Sequence, residues 1–419
     1  MPISLPLLIV LGLLSALTPF AIDMYLPSIP SIARDLDAGI ELAQLSVTLY
    51  LAVFALSQLV IGPLSDALGR RRAIAGGLAV FALADIACAL APGMPLLLAA
   101  RAVQAVGGAA VAVTVPALVR DLFERDDYAR VMGLVMLVMG LAPMVAPTIG
   151  GLIILHGTWR WVFAALFGIA LVAALAFLWL VPETLPPERR HRLHLGRIAG
   201  NYRLLLGHRT ALGYLLTGAA SFGGMMTFIV TSPYVYIELH GVPEQWFGLL
   251  FALNILAAMG FSFLNSRLVP RIGAERLLRV GLGVQGLAAL LLLAVGWTAT
   301  PPLWLIVLCA LLYISMAGIV MGNAMAGFMA FFPRLAGTAS AFAGATRFGF
   351  GALVGSVVSW LHDDTARPLL LGMGACGLLA VACYRLLCCT GASPDGAALD
   401  ATRRALRSAD AADRVDTGV

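Results

Sequence analysis

"GPLSDALGRRR", residues 62–72, joins two long apolar stretches of the chain. Its glycines, Gly62 and Gly69, permit close helix packing and a sharp turn, because glycine has no side chain to obstruct either. The three consecutive arginines at its end belong outside a hydrocarbon environment, where each charge would be costly. The stretch therefore indicates a short polar connection between two membrane-crossing segments.

A related stretch, "SRLVPRIGAER", occurs at residues 266–276. When the two are aligned, Gly69 falls on Gly273 and Arg72 falls on Arg276, but a proline replaces the acid and an alanine replaces the first arginine. The chain therefore contains a diverged internal repeat, which is typical of transporters built from two related halves. We expect one half to have kept the charged cluster and the other to have lost it.

The composition indicates a membrane protein with many spans, since 61% of the 419 residues are hydrophobic and only 12% are charged. Crossing about 30 Å of hydrocarbon takes roughly 20 helical residues. Long continuous apolar runs favour helices, because barrel strands alternate between apolar and polar residues. The sequence predicts twelve spans, numbered in chain order: 5–29, 42–64, 73–92, 95–121, 129–155, 160–181, 211–236, 245–267, 276–297, 302–331, 338–360 and 367–389.

The arginines are distributed unequally between the two sides of this arrangement. The connections that follow spans 2, 4, 6, 8 and 10 hold most of them, whereas the other side has only Arg34, Arg160 and Arg367. Because positive loops stay in the cytoplasm, both chain ends are predicted to be cytoplasmic. The net charge of +5 follows from this topology and does not indicate a nucleic-acid partner.

The longest connection divides the chain into two sets of six spans. We predict an N-terminal half at residues 1–181, a basic cytoplasmic linker at 182–210 and a C-terminal half at 211–389. The tail at residues 390–419 is rich in Ala, Asp and Arg, and we predict that it is unpacked.

Asp23 is the only charge in the first thirty residues and ends an otherwise apolar segment. Pro19 and Pro27 lie four residues before and after it, on the same helical face, and proline interrupts the backbone hydrogen bonds of a helix. A carboxyl group is costly to keep ionised in a medium of low dielectric constant, so it can take up a proton near neutral pH. Asp23 is therefore a candidate proton carrier. The alternative is a structural acid that caps the kink or the helix end.

Other polar residues interrupt the spans. Arg101 and Gln104 are three residues apart in span 4, which places them on one helical face. That face belongs against a protein neighbour or a wet cavity, unless Arg101 snorkels to the interface. Asp85 in span 3 is an auxiliary proton site, a partner of Arg101 or a structural acid. For Arg347 in span 11 we expect a position near the cytoplasmic end, from which its guanidinium can snorkel.

Five stretches resemble motifs of the major facilitator superfamily. "GPLSDALGRRR" is similar to the signature of its loop between spans 2 and 3, "RAVQAVGGAA" (101–110) to its span 4 motif, and "GLAPMVAPTIGG" (140–151) to its drug/proton antiporter motif. Together with "IDMYLPSIP" and "VRDLF" (119–123), they resemble the bicyclomycin/chloramphenicol resistance (Bcr/CflA) branch. The resemblance implies an all-α membrane protein, with twelve transmembrane helices in two pseudo-symmetric halves, in the inner membrane of a bacterium.

The resemblance also implies roles for particular residues. In the loop after span 2, it implies a gate in which Asp66 accepts bonds from the start of span 11 and Arg70 or Arg71 pairs with Asp121. A charge that served only to set topology would not require Asp66 or the glycines. The gating motif then comprises Gly62, Asp66, Gly69, Arg70, Arg71 and Asp121, and the antiporter motif comprises Pro143, Pro147, Gly150 and Gly151. Proton coupling falls to Asp23, and the predicted substrate cavity includes Arg101, Gln104, Tyr25, Phe228 and Asn254.

The resulting functional prediction is proton-coupled efflux of small amphipathic drugs or antibiotics by alternating access. Export of a metabolite such as an amino acid is the alternative within the same fold. We expect no enzyme, because the histidines are scattered in loops, and no metal site, because the six cysteines lack metal-binding spacing. The expected partners are small-molecule drugs, protons and the lipid bilayer. No cofactor is expected beyond the proton gradient, and the chain is predicted to work as a monomer.

Overall fold

The computed structural model describes residues 4–123, 125–185, 195–298 and 301–389, and every regular element in these ranges is helical. Twelve of the described helical segments are long and apolar enough to cross a membrane, which confirms the predicted number. The predicted tail and residues 186–194 of the predicted linker lie outside the described residues. Spans 1 to 12 comprise Leu5–Asp35, Ile40–Leu68, Arg70–Ala89, Met94–Leu122, Arg130–His156, Trp159–Leu180, Arg209–Leu239, Glu244–Ile272, Ala274–Gly296, Leu303–Ala330, Gly337–Trp360 and Arg367–Cys388.

Span 1 is longer than predicted and is broken. Its first helix, Leu5–Asp23, is followed by a short 3-10 turn, Leu26–Ser28, and a second helix, Ile29–Asp35. Pro27 and Pro30 stand at the starts of the last two elements, where the missing backbone N–H costs nothing. The break leaves Asp23 as the last residue of the first helix.

The packing of the spans is pseudo-symmetric. In the first six spans the packed pairs include 3 with 4, 2 with 4, 3 with 6 and 1 with 5, and each pair recurs six spans later as 9 with 10, 8 with 10, 9 with 12 and 7 with 11. The internal repeat read from the sequence is therefore a repeat of structure. The two halves, spans 1–6 and spans 7–12, meet where span 2 packs on span 11 and span 5 packs on span 8.

Small residues bring the halves close together. Gly248 of span 8 lies against the backbone of Thr148 in span 5, and a β-carbon at this glycine would be 2.6 Å from the Thr148 Cα atom. Gly355 of span 11 lies against Thr48 of span 2, whose hydroxyl hydrogen-bonds Ser356 at 3.0 Å. Close backbone approach through small residues is how membrane helices gain packing energy without a hydrophobic effect between them.

Polar contacts cross between the halves at both ends of the bundle. The end that carries the connections after spans 2, 4, 6, 8 and 10 is called here the arginine-rich end. At the opposite end, Arg34 forms ion pairs with Glu238 and, at 3.6 Å, with Glu244. At the arginine-rich end, Tyr202 of the linker helix Leu195–Leu206 donates to the Leu59 carbonyl at 3.3 Å. The Tyr202 ring lies 5.5 Å from that of Phe342, so the linker helix contacts spans 2 and 11.

Candidate functional site

Arg101 is fully buried in span 4 and does not snorkel. Its guanidinium carbon lies 4.6 Å from the ring centroid of Tyr50, 4.8 Å from that of Tyr25 and 6.0 Å from that of Phe163. One guanidinium nitrogen, Nη1, donates to the Ala21 carbonyl of span 1 at 2.9 Å. The negative faces of the aromatic rings attract the cation and compensate part of its lost hydration.

Gln104 links Arg101 to Asp85. Arg101 Nη1 donates to Gln104 Oε1 at 2.5 Å, and Gln104 Nε2 donates to Asp85 Oδ1 at 2.5 Å. The relay joins spans 3 and 4, so the partner of Asp85 is the glutamine and not the arginine directly. The second carboxylate oxygen of Asp85 and two nitrogens of Arg101 are buried without a hydrogen-bond partner among the described residues. The sequence alone did not identify the partner of Asp85, because the contact joins two different spans and residue spacing does not predict such contacts.

Asp23 differs from the other buried charged groups near it. It is only 4% exposed, and no hydrogen bond or ion pair joins its carboxyl to any residue in the described part of the chain. The capping alternative therefore has no hydrogen bond in its support. The backbone carbonyl of Ala21, two residues before Asp23, accepts the hydrogen bond from Arg101. Asp23 is therefore close in sequence to a residue that Arg101 binds.

The two predicted cavity residues of the second half are Phe228 and Asn254. Phe228 of span 7 stacks on Phe251 of span 8 at 5.8 Å and lies 6.0 Å from Tyr236. Asn254 of span 8 donates to the Leu250 carbonyl at 3.0 Å, while its own oxygen is buried without a hydrogen-bond partner among the described residues.

All five predicted cavity residues are at most 1% exposed. Tyr25 is fixed further by a hydrogen bond of 2.8 Å between its hydroxyl and that of Ser46. Arg101, Gln104 and Tyr25 therefore lie together in the first half, whereas Phe228 and Asn254 lie on spans 7 and 8 of the second. This conformation presents none of them on an open cavity wall.

The gating motif forms a network at the arginine-rich end. Arg70 is buried and holds three partners: Asp66 at 2.5 Å, Asp121 at 3.2 Å and the Ser65 hydroxyl at 2.7 Å. Gly69 has a φ of +101°, a conformation that glycine adopts readily and other residues rarely do. The motif thus holds spans 2, 3 and 4 together within the first half.

Two details of the gating prediction need correction. Asp66 makes no bond to span 11 among the described residues; it pairs with Arg70, which lies four residues further along the chain. Gly62 is not required for close packing, because a β-carbon there would meet only Val113, at an ordinary 3.7 Å. Of the two arginines predicted as alternative partners of Asp121, Arg70 forms the ion pair, and Arg71 instead donates through its Nη2 to the Leu178 carbonyl at the end of span 6 at 2.6 Å.

The second half has Pro270 and Ala274 where the first has Asp66 and Arg70, and it contains a different polar anchor next to them. Glu275 of span 9 accepts hydrogen bonds from Tyr214 of span 7, at 2.7 Å, and from Tyr384 at the end of span 12. In the repeat alignment Glu275 corresponds to Arg71, which binds the end of span 6. The same repeat position therefore anchors span 3 to span 6 in the first half and span 9 to span 12 in the second. The residue at this position is an arginine in the first half and a glutamate in the second.

The antiporter motif lies between the Asp23 break and the other half. The helix of span 5 continues through Pro143 and Pro147. Gly150 packs against the Met24 carbonyl of span 1, and a β-carbon at Gly151 would be 2.8 Å from the Glu244 carbonyl oxygen of span 8. The two glycines thus connect the broken part of span 1 to the interface between the halves.

The prediction that Arg347 snorkels near an end of its span is wrong. The helix runs from Ala336 to Trp360, so Arg347 lies near its middle. A charged residue at the centre of a membrane helix costs about 2.5–3.5 kcal/mol on insertion scales. Such a cost indicates that the residue faces protein or a polar space.

Comparisons with known proteins agree with this architecture. The model of the Major Facilitator Superfamily matches residues 11–356. This chain belongs to the major facilitator superfamily. The match includes the motifs after span 2, in span 4 and in span 5, so the resemblance inferred from those residues is confirmed.

Relatives place the chain in the bicyclomycin/chloramphenicol resistance branch of the superfamily. It is 39% identical over 382 residues to a "Bicyclomycin resistance protein homolog" of Haemophilus influenzae, covering 91% of this chain and 95% of that protein. It is 31% identical over 376 residues to a "Chloramphenicol resistance protein" of Pseudomonas aeruginosa, covering 85% and 84% of the two chains.

A solved structure confirms the fold. The crystal structure of a D-xylose-proton symporter matches with a TM-score of 0.71 and 16% identity, covering 90% of this chain and 97% of that one. At this identity the likeness concerns the arrangement of the twelve helices only. The chain is therefore a multi-pass membrane transporter, and its relatives support a role in drug efflux.

Proposed function

We propose that this protein exports small amphipathic drugs from the bacterial cytoplasm in exchange for protons. The observation that carries the proposal is Asp23, a buried carboxyl at the break of span 1 that has no partner among the described residues. An intramembrane acid without a fixed counter-charge can alternate between a neutral and a charged form at a tolerable cost. That alternation is what coupling to a proton gradient requires.

The orientation of the chain in the membrane is proposed from its charge distribution. The arginine-rich end is proposed to be cytoplasmic, with both chain ends on that side. In this conformation Arg34 holds the periplasmic ends of the two halves together through Glu238 and Glu244. The structure then corresponds to a state closed to the periplasm, from which the carrier would open by breaking these ion pairs.

The proposed cycle uses linkage between the proton and the drug. Asp23 takes up a proton from the periplasm, which lowers the affinity for the drug, and the loaded carrier then turns inward. Release of the proton to the cytoplasm restores drug binding, because each ligand weakens the binding of the other by the same factor. The proton gradient supplies the free energy for transport, and its electrical component contributes about 2.3 kcal/mol per charge for every 100 mV.

Transport by purified protein in liposomes tests this function. Chloramphenicol and bicyclomycin uptake is followed under an imposed pH gradient, for wild type, Asp23→Asn and the exposed control Asp127→Asn. We expect uptake that an ionophore abolishes, loss of that uptake in Asp23→Asn and its retention in Asp127→Asn. Uptake that persists without a gradient, or that Asp23→Asn retains in full, would contradict the proposal.

A further inference from the structure

Arg347 faces the interface between the two halves and not the lipid. One turn before it, Gly344 lies against the Gln58 side chain of span 2. One turn after it, a β-carbon at Gly351 would be 2.7 Å from Met226 and 2.9 Å from Phe222 of span 7. The strongly exposed residues of this helix, such as Leu353 at 61%, lie on a different face.

The guanidinium of Arg347 has no counter-charge. None of the ion pairs found among the described residues includes it, and its Nε atom is buried without a hydrogen-bond acceptor in that part of the chain. Arg101, the other arginine at membrane depth, has a carbonyl and an amide as acceptors. Arg101 is fully buried, whereas Arg347 retains exposed surface. Arg347 is therefore the cation that an incoming group can reach.

Two aromatic rings lie next to this cation, and a third packs against one of them. Its Cζ atom lies 5.3 Å from the ring centroid of Phe222 and 5.0 Å from that of Phe348. The Phe348 ring in turn packs edge-on against Phe222 at 5.1 Å and against Phe54 of span 2 at 5.0 Å. Phe54, Phe222, Phe348 and Arg347 are called here the Arg347 cluster. It draws on both halves of the protein, because Phe54 belongs to span 2 and the other members belong to spans 7 and 11.

We propose that the Arg347 cluster binds aromatic compounds that carry a carboxylate. The planar guanidinium donates parallel hydrogen bonds to a carboxylate, and this match is stronger than a bond to a neutral acceptor. Phe348 is the partly exposed ring of the cluster and provides apolar surface against which an aromatic body packs, whereas Phe54 and Phe222 are buried behind it. The inference rests on the proposed function in one respect, since it specifies a chemical class of cargo for the same carrier.

Binding to the purified protein in detergent tests the site without requiring transport. The probes are 2-naphthoic acid and its neutral isostere 2-naphthamide, measured by isothermal titration calorimetry at pH 7.5. We expect wild type to bind the acid at least about tenfold more tightly than the amide, as loss of a charge-assisted hydrogen bond would give. Arg347→Gln should remove this preference, and Arg347→Lys should keep part of it, because it retains the charge but not the planar fork.

Arg267→Gln is the matched control, because Arg267 also stacks on a phenylalanine, with its Cζ 4.9 Å from the Phe263 ring. It should keep the wild-type preference. Equal binding of acid and amide to wild type, no binding of either, or an unchanged preference in Arg347→Gln would each overturn the inference.

The same preparations in liposomes separate this inference from the proposed function. Chloramphenicol transport by Arg347→Gln together with no acid preference in wild type would refute the site and leave the function standing. A clear acid preference in wild type, with no drug moved by any variant, would support the site and refute the function.

Discussion

Substitution of Gly248 by alanine should shift the carrier away from the conformation described here. Gly248 lies where span 8 meets span 5, and a β-carbon there would be 2.6 Å from the Cα, N and Oγ1 atoms of Thr148. Two of these atoms belong to the backbone, so no side-chain rotation relieves the clash. Carbon atoms pack at about 3.5–4.0 Å, so the two helices would have to separate by about 1 Å.

The magnitude follows from the cost of overpacking. An added methyl group in a well-packed interface costs about 1–3 kcal/mol. If only the state with spans 5 and 8 in contact bears this cost, the ratio of closed to open carriers falls about 5- to 150-fold. The periplasmic end should then open in a measurable fraction of molecules.

Distances between spin labels measure this shift. Labels at Glu41 and Asp363, exposed residues of the first and second halves at the end opposite the arginine-rich end, are introduced after replacement of the six native cysteines. Gly260→Ala on the same span is the control, because a β-carbon there has nothing within 4 Å. We expect a longer distance population in Gly248→Ala only. Identical distributions in wild type and both variants would refute the packing argument.

Three further predictions follow from the polar contacts. Arg34→Gln removes the periplasmic ion pairs and should increase labelling of a periplasmic cysteine by a membrane-impermeant maleimide; unchanged labelling would show that these pairs do not hold the end closed. Gln104→Leu leaves Asp85 and Arg101 buried with fewer hydrogen-bond partners, so it should lower the free energy of unfolding by about 1–3 kcal/mol. The measurement is the melting temperature in detergent, which should fall. An equal or higher melting temperature would contradict the proposed relay. Glu275→Gln weakens the acceptor of two tyrosine hydroxyls, so it should increase proteolysis at the cytoplasmic ends of spans 7 and 12. If the variant resists the protease as well as wild type does, Glu275 does not anchor these spans.

Local pattern was sufficient for much of the architecture. The twelve spans follow from apolar length, and the break of span 1 follows from its prolines. The shared face of Arg101 and Gln104 follows from their spacing of three residues, and the structure shows them hydrogen-bonded. In each case the determining residues are near one another in the chain.

Side-chain contacts between different spans were beyond such reasoning. The Gln104–Asp85 bond joins spans 3 and 4, and the Tyr214–Glu275 bond joins spans 7 and 9. Nothing in the spacing of these residues indicates which polar side chains will meet.

The misplacement of Arg347 has a different cause. The predicted bounds of span 11, 338–360, agree with the observed helix Ala336–Trp360 to within two residues, so the ends of the helix are not the cause. Arg347 lies eleven residues after Ala336, about 16 Å along the helix axis. The prediction that its guanidinium snorkels underestimated this distance.

The partner of Asp66 illustrates a limit set by conformation. The acid has Arg70 within one helical turn, and the structure records that pair. The contact with span 11 that the family resemblance implies is not made among the described residues in this conformation. A sequence encodes all the conformations of a transporter, and it does not indicate in which conformation a given contact forms.

Proton release on drug binding tests the central claim most directly. Chloramphenicol is added to purified protein in weakly buffered detergent while the pH is recorded, for wild type and Asp23→Asn. The account predicts that wild type releases protons and that Asp23→Asn does not, because the exchanged proton resides on that carboxyl. Release of equal size in both proteins would contradict the assignment of proton coupling to Asp23.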